Sequence, residues 1–401
     1  MSDQSLGIGD RIAAARKGAG LSQVDFAPRA HVSLSLLRKV EQGNRAATPA
    51  MVAACASALN IEVGQLTGQP YDQEGRQRDP VHGLLPELRR ALAYWDLPPN
   101  LDGPSRSWEA LAADTQHAAT MRRGAQHITL AEALPPLLLE TTAAAHANPG
   151  TAAERYYELL VIQLFAAHSV TNKTGYSDLS TVVEDRITWA AERCGDPLMG
   201  ALAAWARTTS MLTAGAYDIG LRLLDRVQDD LLGSGSAGAL AMAGPLHLRS
   251  AILAARAQQS DTARDHLAEA TRIAGHLGNS DVDGGWHQLS FGPSNTAVHD
   301  VAVSVELGDG GAAVSRARTL QLPADMPKIR AGHHFVDLAR AQLWIGDRDG
   351  ALDSLTTARQ LAPQQTRHHP MTREVAGVLV RLHRRSNEPL TRLVGWLGVE
   401  P

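Results

Sequence analysis

The chain has 401 residues, enough for at least two domains, and 44% of them are hydrophobic, which excludes a mainly disordered protein. Aromatic residues make up only 4%, a balance that favours packed helices over sheets. The formal net charge of −4 argues against non-specific binding of nucleic acid. There is no secretion signal and no run of about 18 apolar residues, so we expect a cytoplasmic protein without a membrane span.

Charge is distributed unevenly along the chain. Residues 1–69, which we call the head, hold seven basic and five acidic residues, whereas the remainder holds 31 basic and 37 acidic residues. A mildly basic head on an acidic remainder keeps that remainder away from phosphates. The two cysteines, Cys55 and Cys194, fall in separate predicted helices, and we expect them to be free thiols in a reducing compartment.

Five short helices are predicted over residues 7–67 of the head. Ser22 is a natural cap for a helix that runs to about residue 30, and Ser33 for a helix over 34–42. Gly43 ends that helix, and Pro49 lies at the start of a fourth helix, which runs to about residue 59. Five amphipathic helices can form a plain bundle or a DNA-binding domain.

The spacing of small and apolar residues favours a helix-turn-helix. Ala27 lets two helices approach closely, His31 occupies the tight turn, and Leu37 and Val40 anchor the second helix on the core. With these anchors inward, the polar side of helix 34–42 points toward a DNA major groove. Gln23, at the start of the preceding helix, is placed to reach a phosphate or to steady a neighbouring side chain.

The head resembles the lambda-repressor/Cro-like helix-turn-helix family, also called the XRE family. The residues that carry this resemblance are Gly20-Leu21-Ser22-Gln23, Ala27, Val32-Ser33, Leu37, Val40-Glu41 and Gly43. By the family's pattern, the DNA-contacting residues are Gln23, Ser33, Leu34, Ser35, Arg38 and Lys39. Leu34 can contact a thymine methyl group or pack against the protein.

The head departs from the family's pattern at two positions. His31 stands where the family usually has a turn glycine, which is tolerable because His adopts positive φ more readily than most residues. Pro28 lies inside the second helix and removes one backbone hydrogen bond. We therefore expect that helix to be short or bent.

A linker is predicted over residues 70–83, and residues 84–401 form what we call the body. Within the body, an apolar helix end, a small turn residue and a capped helix recur around positions 215, 260, 308 and 346. These segments resemble degenerate tetratricopeptide repeats, whose ideal period is about 34 residues. The predicted fold class is all-α: a five-helix, lambda-repressor-like head followed by an α-solenoid with a concave inner face.

The whole chain resembles actinobacterial XRE-family regulators with C-terminal tetratricopeptide-like domains. That resemblance implies a transcriptional regulator whose body forms a homodimer and senses a small-molecule or peptide effector, without a cofactor. The paired heads would then read a pseudo-palindromic operator in double-stranded DNA. The alternative is an adaptor whose body recruits a protein partner to DNA.

An irregular stretch at 283–295 is the predicted position of an effector pocket. It combines aromatic and polar residues on a loop shaped by Gly and Pro, and such a mixture suits a concave ligand site. We interpret Trp286, Phe291, Asn295 and His299 as candidate pocket residues. The alternative is that Trp286 and Phe291 fill the core between repeats and Asn295 caps a helix.

No catalytic or metal-binding pattern is found in the sequence. It contains neither a GxxxxGK[ST] phosphate loop nor an HExxH zinc pair, so we expect no enzymatic activity. The adjacent pairs His333-His334 and His368-His369 would point in different directions on a helix. No Cys or carboxylate at ligand spacing completes a metal set around them.

Overall fold

The computed structural model describes residues 7–71, 79–98, 100–101, 106–236, 238–277, 288–382 and 387–399. Within these ranges the chain forms 21 helices and no β-strand. A helix-turn-helix head is followed by a region of repeated helix pairs, so the predicted fold class is confirmed. None of the helices in the described ranges combines the length and the hydropathy that a membrane-spanning helix requires.

Five helices form the head, and their ends lie close to the predicted boundaries. Ser33 Oγ accepts a hydrogen bond from the backbone N–H of Leu36 at 3.1 Å, and Thr48 Oγ1 accepts one from Met51 at 3.1 Å. These caps satisfy N–H groups that have no partner within their helices. The head helices are α1 (Ile8–Gly18), α2 (Gln23–Arg29), α3 (Leu34–Glu41), α4 (Pro49–Leu59) and α5 (Val63–Thr67).

The first helix of the body, α6 (Pro80–Ala93), begins inside the segment 70–83 that the sequence analysis assigns to the linker. Asp79 Oδ1 accepts a hydrogen bond from the backbone N–H of Val81 at 3.1 Å. An Asp-Pro pair likewise starts a later helix at Asp196-Pro197, with Asp as the cap and Pro at the first helical position.

Six helix pairs follow α6. They are α7 (Trp108–Arg123) with α8 (His127–Ala147), α9 (Gly150–Thr174) with α10 (Ser177–Cys194), α11 (Pro197–Ala214) with α12 (Tyr217–Gly233), α13 (Ala239–Arg256) with α14 (Ser260–Leu277), α15 (Pro293–Glu306) with α16 (Gly310–Thr319), and α17 (Lys328–Trp344) with α18 (Arg348–Leu361). The chain ends with α19 (Pro363–His368), α20 (Pro370–Leu382) and α21 (Glu388–Leu397).

All four predicted inter-repeat turns lie between the two helices of a pair. Gly215, Gly308 and Gly346 have φ values of 77°, 81° and 85°, a region that favours glycine because it has no Cβ. At the turn near residue 260, Gln258 adopts positive φ instead. The pairs α7–α8 and α9–α10 extend the repeated plan toward the N-terminus, where the sequence analysis identifies no repeat.

The first helices of the six pairs form a closed inner ring. In the order α7, α9, α11, α13, α15 and α17, each contacts the next, and α17 also contacts α7. The second helix of each pair packs against the first. The ring therefore encloses a space, and every residue of α9 from Leu159 to Thr171 is buried.

The head packs on the last helices of the body. Its core is continuous with Val336 of α17, Ala358 of α18 and Met371 of α20. The buried Glu374 carboxylate accepts a hydrogen bond from the backbone N–H of Ala47 at 2.9 Å. These contacts set the orientation of the head relative to the ring.

One further polar contact connects the body with the N-terminal end of the head. Arg381 Nη2 donates to Asp10 Oδ2 at 2.9 Å. The Arg381 guanidinium also lies against Gly43, where an added Cβ atom would overlap it, and near Gly7, where an added Cβ atom would make a tight contact at 3.1 Å. Because Gly43 lies two residues after the end of α3, this arginine connects α20 with the C-terminal end of that helix.

Candidate DNA-binding surface and central cavity

Helix α3 is held from behind by its apolar side chains. Leu37 and Val40 are fully buried in the head core, together with Ile12, Phe26 and Ala27. This is the arrangement that the helix-turn-helix spacing predicts, since residues three apart share one face of a helix. The opposite face is solvent-exposed and carries Ser35, Arg38 and Lys39, with Ser33 exposed at the cap.

A close backbone approach sets the position of α3 against α1. A Cβ atom added at Gly9 would overlap the backbone carbonyl oxygen of Val40. Only glycine at this position allows the two helices to come so near. No pattern within α1 indicates this requirement, because it depends on a residue of another helix.

A buried ion pair connects α1 with the end of α3. Arg16 Nε and Nη2 donate to the two carboxylate oxygens of Glu41 at 2.7 and 2.8 Å, and Arg16 Nη1 donates to the Leu21 carbonyl at 2.7 Å. Burial alone would raise the pKa of Glu41, but the hydrogen bonds from Arg16 and Gln23 outweigh it and hold the pKa below its usual value. This pair is therefore ionised and well satisfied.

Two residues of the predicted DNA-contacting set also contact the protein. Gln23 Nε2 donates to Glu41 Oε2 at 2.7 Å, so this side chain steadies the ion pair, one of the two roles foreseen for it. Leu34 is half-buried and packs against the head core. Arg38 and Lys39 form no side-chain hydrogen bond or ion pair with any described residue. Their charges face solvent.

The two departures from the family's pattern are accommodated locally. His31 has a φ of 51°, so it occupies the left-handed turn that glycine usually takes. Helix α2 is short, seven residues, and contains Pro28 near its end. After α2, the backbone N–H of Val32 donates a hydrogen bond to the Ala27 carbonyl at 3.0 Å and closes the turn. Pro28 therefore leaves the relative orientation of α2 and α3 intact.

A central cavity of about 360 Å³ lies inside the ring of inner helices. Its wall is formed by residues of α7, α9, α11, α13, α15 and α17, together with α19, the start of α20 and the segment 288–290. The head also contributes to the wall through Pro49, Val52, Val63, Thr67 and Gln69. A molecule in this cavity would therefore contact the head and the body at once.

The predicted effector pocket coincides with this cavity only in part. Asn295 and His299 line it, whereas Phe291 does not. Phe291 is buried where the absent side chain of Gly244 leaves room for its ring, so it fills the core between α13 and α15, the alternative interpretation of its role. Trp286 lies outside the described residues.

Asn295 and His299 have defined partners at the cavity wall. Asn295 Nδ2 donates to the Ser290 carbonyl at 2.6 Å, and His299 Nδ1 lies 2.8 Å from the Asn295 carbonyl. Because a carbonyl can only accept, Nδ1 carries the proton of His299 and Nε2 is an acceptor. Burial and the nearby Arg330 hold the pKa of His299 well below its usual value, so the ring is neutral.

A buried charge network braces one side of the cavity. Arg256 Nε donates to Glu306 Oε2 at 3.2 Å, and Arg340 Nη1 donates to Glu306 Oε1 and Asp337 Oδ1, each at 2.9 Å. Burial alone would raise the pKa of Glu306, but Arg256 and Arg340 outweigh it and lower the pKa to about 2. The network therefore holds α13, α15 and α17 together.

The histidine pairs and the cysteines form no metal site in the described part of the chain. No group of three His, Cys, Asp or Glu residues is placed there to hold a metal ion. His334 lies against Phe335, and His369 against His333. Cys55 is a buried free thiol and Cys194 a partly buried one.

Comparison with known proteins identifies the head. Residues 8–66 match the model of a helix-turn-helix domain family. Over 58 residues, 14% of this chain, the sequence is 40% identical to a Bacillus subtilis (strain 168) protein described as the uncharacterized HTH-type transcriptional regulator YazB, of which it covers 84%. No solved structure matches the chain significantly. Together with the geometry of α2 and α3, these matches show that the chain belongs to the helix-turn-helix family of transcriptional regulators.

Proposed function

We propose that this regulator recognises a specific DNA sequence through α3, that it acts as a homodimer, and that its body senses an effector. The observation that carries the proposal is the division of α3 into two faces. Leu37 and Val40 hold it on the core, and Ser35, Arg38 and Lys39 remain exposed although the head is packed on the body. The helix is therefore available to a major groove without rearrangement of the chain.

Electrostatics supports DNA as the partner of the head. Five of its seven basic residues are exposed: Lys17, Arg29, Arg38, Lys39 and Arg45. The charge of Arg16 is cancelled by Glu41 within the core. Among the described residues of the head, only Asp25 and Glu62 are exposed acidic residues, so exposed cations outnumber exposed carboxylates five to two. Exposed cations provide the phosphate contacts that position a protein on DNA.

The double variant Ser35→Ala/Lys39→Ala tests the recognition helix. We expect it to lose preference for the selected operator over random DNA, since each base contact contributes about 1–3 kcal/mol of discrimination, or roughly 5- to 150-fold. Fluorescence anisotropy with an operator selected from random DNA measures both affinities. Arg264→Ala is the matched control because this arginine is exposed on α14, outside the head. Undiminished discrimination by the double variant would contradict the assignment.

The proposed homodimer predicts a specific spacing between the two half-sites of the operator. Two copies of α3 that enter successive major grooves require half-sites about 34 Å, or one helical turn, apart. Footprinting on the selected operator is expected to show two protected half-sites with that spacing. A single protected half-site, with a monomer-sized complex in light scattering, would argue against the dimer and leave the recognition helix unaffected.

The position of the central cavity supports effector sensing. Its wall includes Val52 and Thr67 of the head as well as Asn295 and His299 of the body. A ligand that contacts both parts shifts the equilibrium between arrangements of the head by its differential affinity for them. The corresponding experiment is to measure operator affinity with and without a candidate ligand, and equal affinity in both states would reject sensing through this cavity.

A further inference from the structure

The central cavity carries an excess of positive charge, although the chain as a whole is acidic. Six of the basic residues on its wall are Arg122, Arg123, Lys173, Arg249, Arg256 and Arg330. The acidic residues on the wall are Glu306 and Asp337, and both are already engaged by Arg340. Arg256 is likewise paired with Glu306. The cavity therefore has positive charge that its own carboxylates do not neutralise.

Three of these cations come from different parts of the ring and face one another. Lys173 lies on α9, Arg249 on α13 and Arg330 on α17. None of the three side chains forms an ion pair or a hydrogen bond with a residue in the described ranges. The guanidinium of Arg249 lies over the ring of Trp205, 3.6 Å from its centroid. That contact orients the guanidinium without neutralising it.

Burial and the charges of neighbouring cations lower the pKa values of Lys173 and Arg249. Burial, followed by the charges of Arg330 and Arg249, lowers the pKa of Lys173 to about 8. Burial, followed by the charges of Arg330 and Arg256, lowers the pKa of Arg249 to about 9. Buried like charges that repel one another destabilise the empty protein. An anion placed among them would remove that penalty.

The rest of the wall fits an apolar or aromatic molecule. Phe165, Trp205, Leu248, Ile252 and Ala302 line the cavity beside the cations. A volume of about 360 Å³ is within the range of pockets for small organic molecules, roughly 300–1,000 Å³. Apolar surface with a few charged groups selects a ligand that has an apolar part and one acidic group.

We propose that the central cavity binds a small organic anion, an apolar or aromatic molecule with a carboxylate or phosphate group held among Lys173, Arg249 and Arg330. This inference names the effector class and rests on the proposed effector sensing for its regulatory consequence. Because the head supplies part of the wall, the bound anion would stabilise the packing of the head on the body.

A pair of fluorescent probes tests the proposal on the full chain. Anilinonaphthalene sulfonate carries an anionic group, and N-phenylnaphthylamine has the same aromatic body without it. We expect the wild-type protein to bind the sulfonate at least tenfold more tightly than the neutral probe. A hydrogen bond to a charged group contributes about 1.5–3 kcal/mol, and a tenfold change in affinity corresponds to about 1.4 kcal/mol. Equal affinity for the two probes would overturn the proposal.

Charge-removing variants locate the binding site. The cavity variant combines Lys173→Gln, Arg249→Gln and Arg330→Gln, and its matched control combines Arg90→Gln, Arg264→Gln and Arg392→Gln, which removes the same charge from exposed positions. Only the cavity variant is expected to lose the preference for the sulfonate, by about tenfold or more, while it keeps its affinity for the neutral probe. An equal loss in both variants would show that the probe responds to overall charge and would refute the site.

The single variant Arg330→Gln tests the site in case the triple cavity variant does not fold. Its side chain has no hydrogen-bonded partner among the described residues, so its removal leaves no group unsatisfied. We expect a weaker sulfonate complex with an unchanged circular dichroism spectrum. A folded Arg330→Gln protein that binds the sulfonate as tightly as the wild type would contradict the role of this arginine.

Competition then distinguishes the two acidic groups. Phenylacetate and phenyl phosphate share an aromatic ring, and the one that displaces the sulfonate probe at lower concentration identifies the preferred group. Displacement by neither would refute a carboxylate or phosphate ligand. No DNA is present in these titrations, so failed operator recognition and failed anion binding are separate results.

Discussion

Removal of Arg16 tests the ion pair that positions the recognition helix. In Arg16→Met, the apolar part of the side chain is kept and the guanidinium is lost. Glu41 then keeps only the hydrogen bond from Gln23, while its side chain stays buried. The carbonyl of Leu21 also loses its bond from Arg16. The variant therefore leaves a buried carboxylate without a countercharge.

The expected loss is large because both partners are buried. The side chains of Arg16 and Glu41 are only 7% and 5% exposed, and breaking such a pair by removing one partner costs about 3–5 kcal/mol. Since 1.4 kcal/mol is a factor of ten, local opening of α3 should increase by roughly two to three and a half powers of ten. The exposed pair Arg392–Glu388, with side chains 68% and 81% exposed, should contribute less than about 1 kcal/mol.

Hydrogen exchange of the α3 amides in the full chain measures this opening directly. We expect much faster exchange in Arg16→Met and no change in the control Arg392→Met. The double variant Arg16→Met/Glu41→Met should recover most of the protection, because no buried charge is left without a partner. Unchanged exchange in Arg16→Met, or a double variant as unstable as the single one, would refute this account.

The pH dependence of α3 opening in Arg16→Met provides an independent test of the buried ion pair. In the wild type the pKa of Glu41 lies below its usual 4.5, so its stabilising contribution is present above pH 4.5 and is lost as the pH falls through the lowered value. Without Arg16, burial dominates and raises the pKa. The excess opening of Arg16→Met should then shrink as the pH falls toward 4.5, because the carboxylate becomes protonated.

Three further predictions concern packing and buried charge. Gly9→Ala should destabilise the head by about 1–3 kcal/mol because its methyl group collides with the Val40 carbonyl, whereas Gly18→Ala, with open space around it, should not; chemical denaturation compares them. Lys173→Met should raise the melting temperature at pH 7, because it removes a buried, repelled charge. The increase should fade between pH 8 and 10.5, where Lys173 is neutral in the folded wild type but still protonated in the unfolded chain. A difference in melting temperature that stays constant over this range would contradict the prediction. Phe291→Ala should cost about 3–5 kcal/mol in denaturation with sulfonate binding retained, and lost binding in a folded variant would place Phe291 at the site.

Most of the helices, including the recognition helix, can be predicted from local sequence signals. Ser33 caps α3, Gly43 follows its end and Pro49 starts α4, and each of these signals acts within a few residues of the chain. The spacing of Leu37 and Val40 is equally local, because one helical period brings them to one face. Local hydrogen bonds and local sterics can be recognised without knowledge of the rest of the fold.

The contacts between distant residues could not be predicted in this way, because they depend on how the helices pack. Gly9 is required by the carbonyl of Val40, and Phe291 is in the core because Gly244 leaves space for it. Lys173 and Arg330 look like ordinary surface cations in the sequence, and they become neighbours only because the inner helices close into a ring. The physical reason is that burial and electrostatic repulsion depend on distance in space, which the packing of separate helices sets and no local pattern encodes.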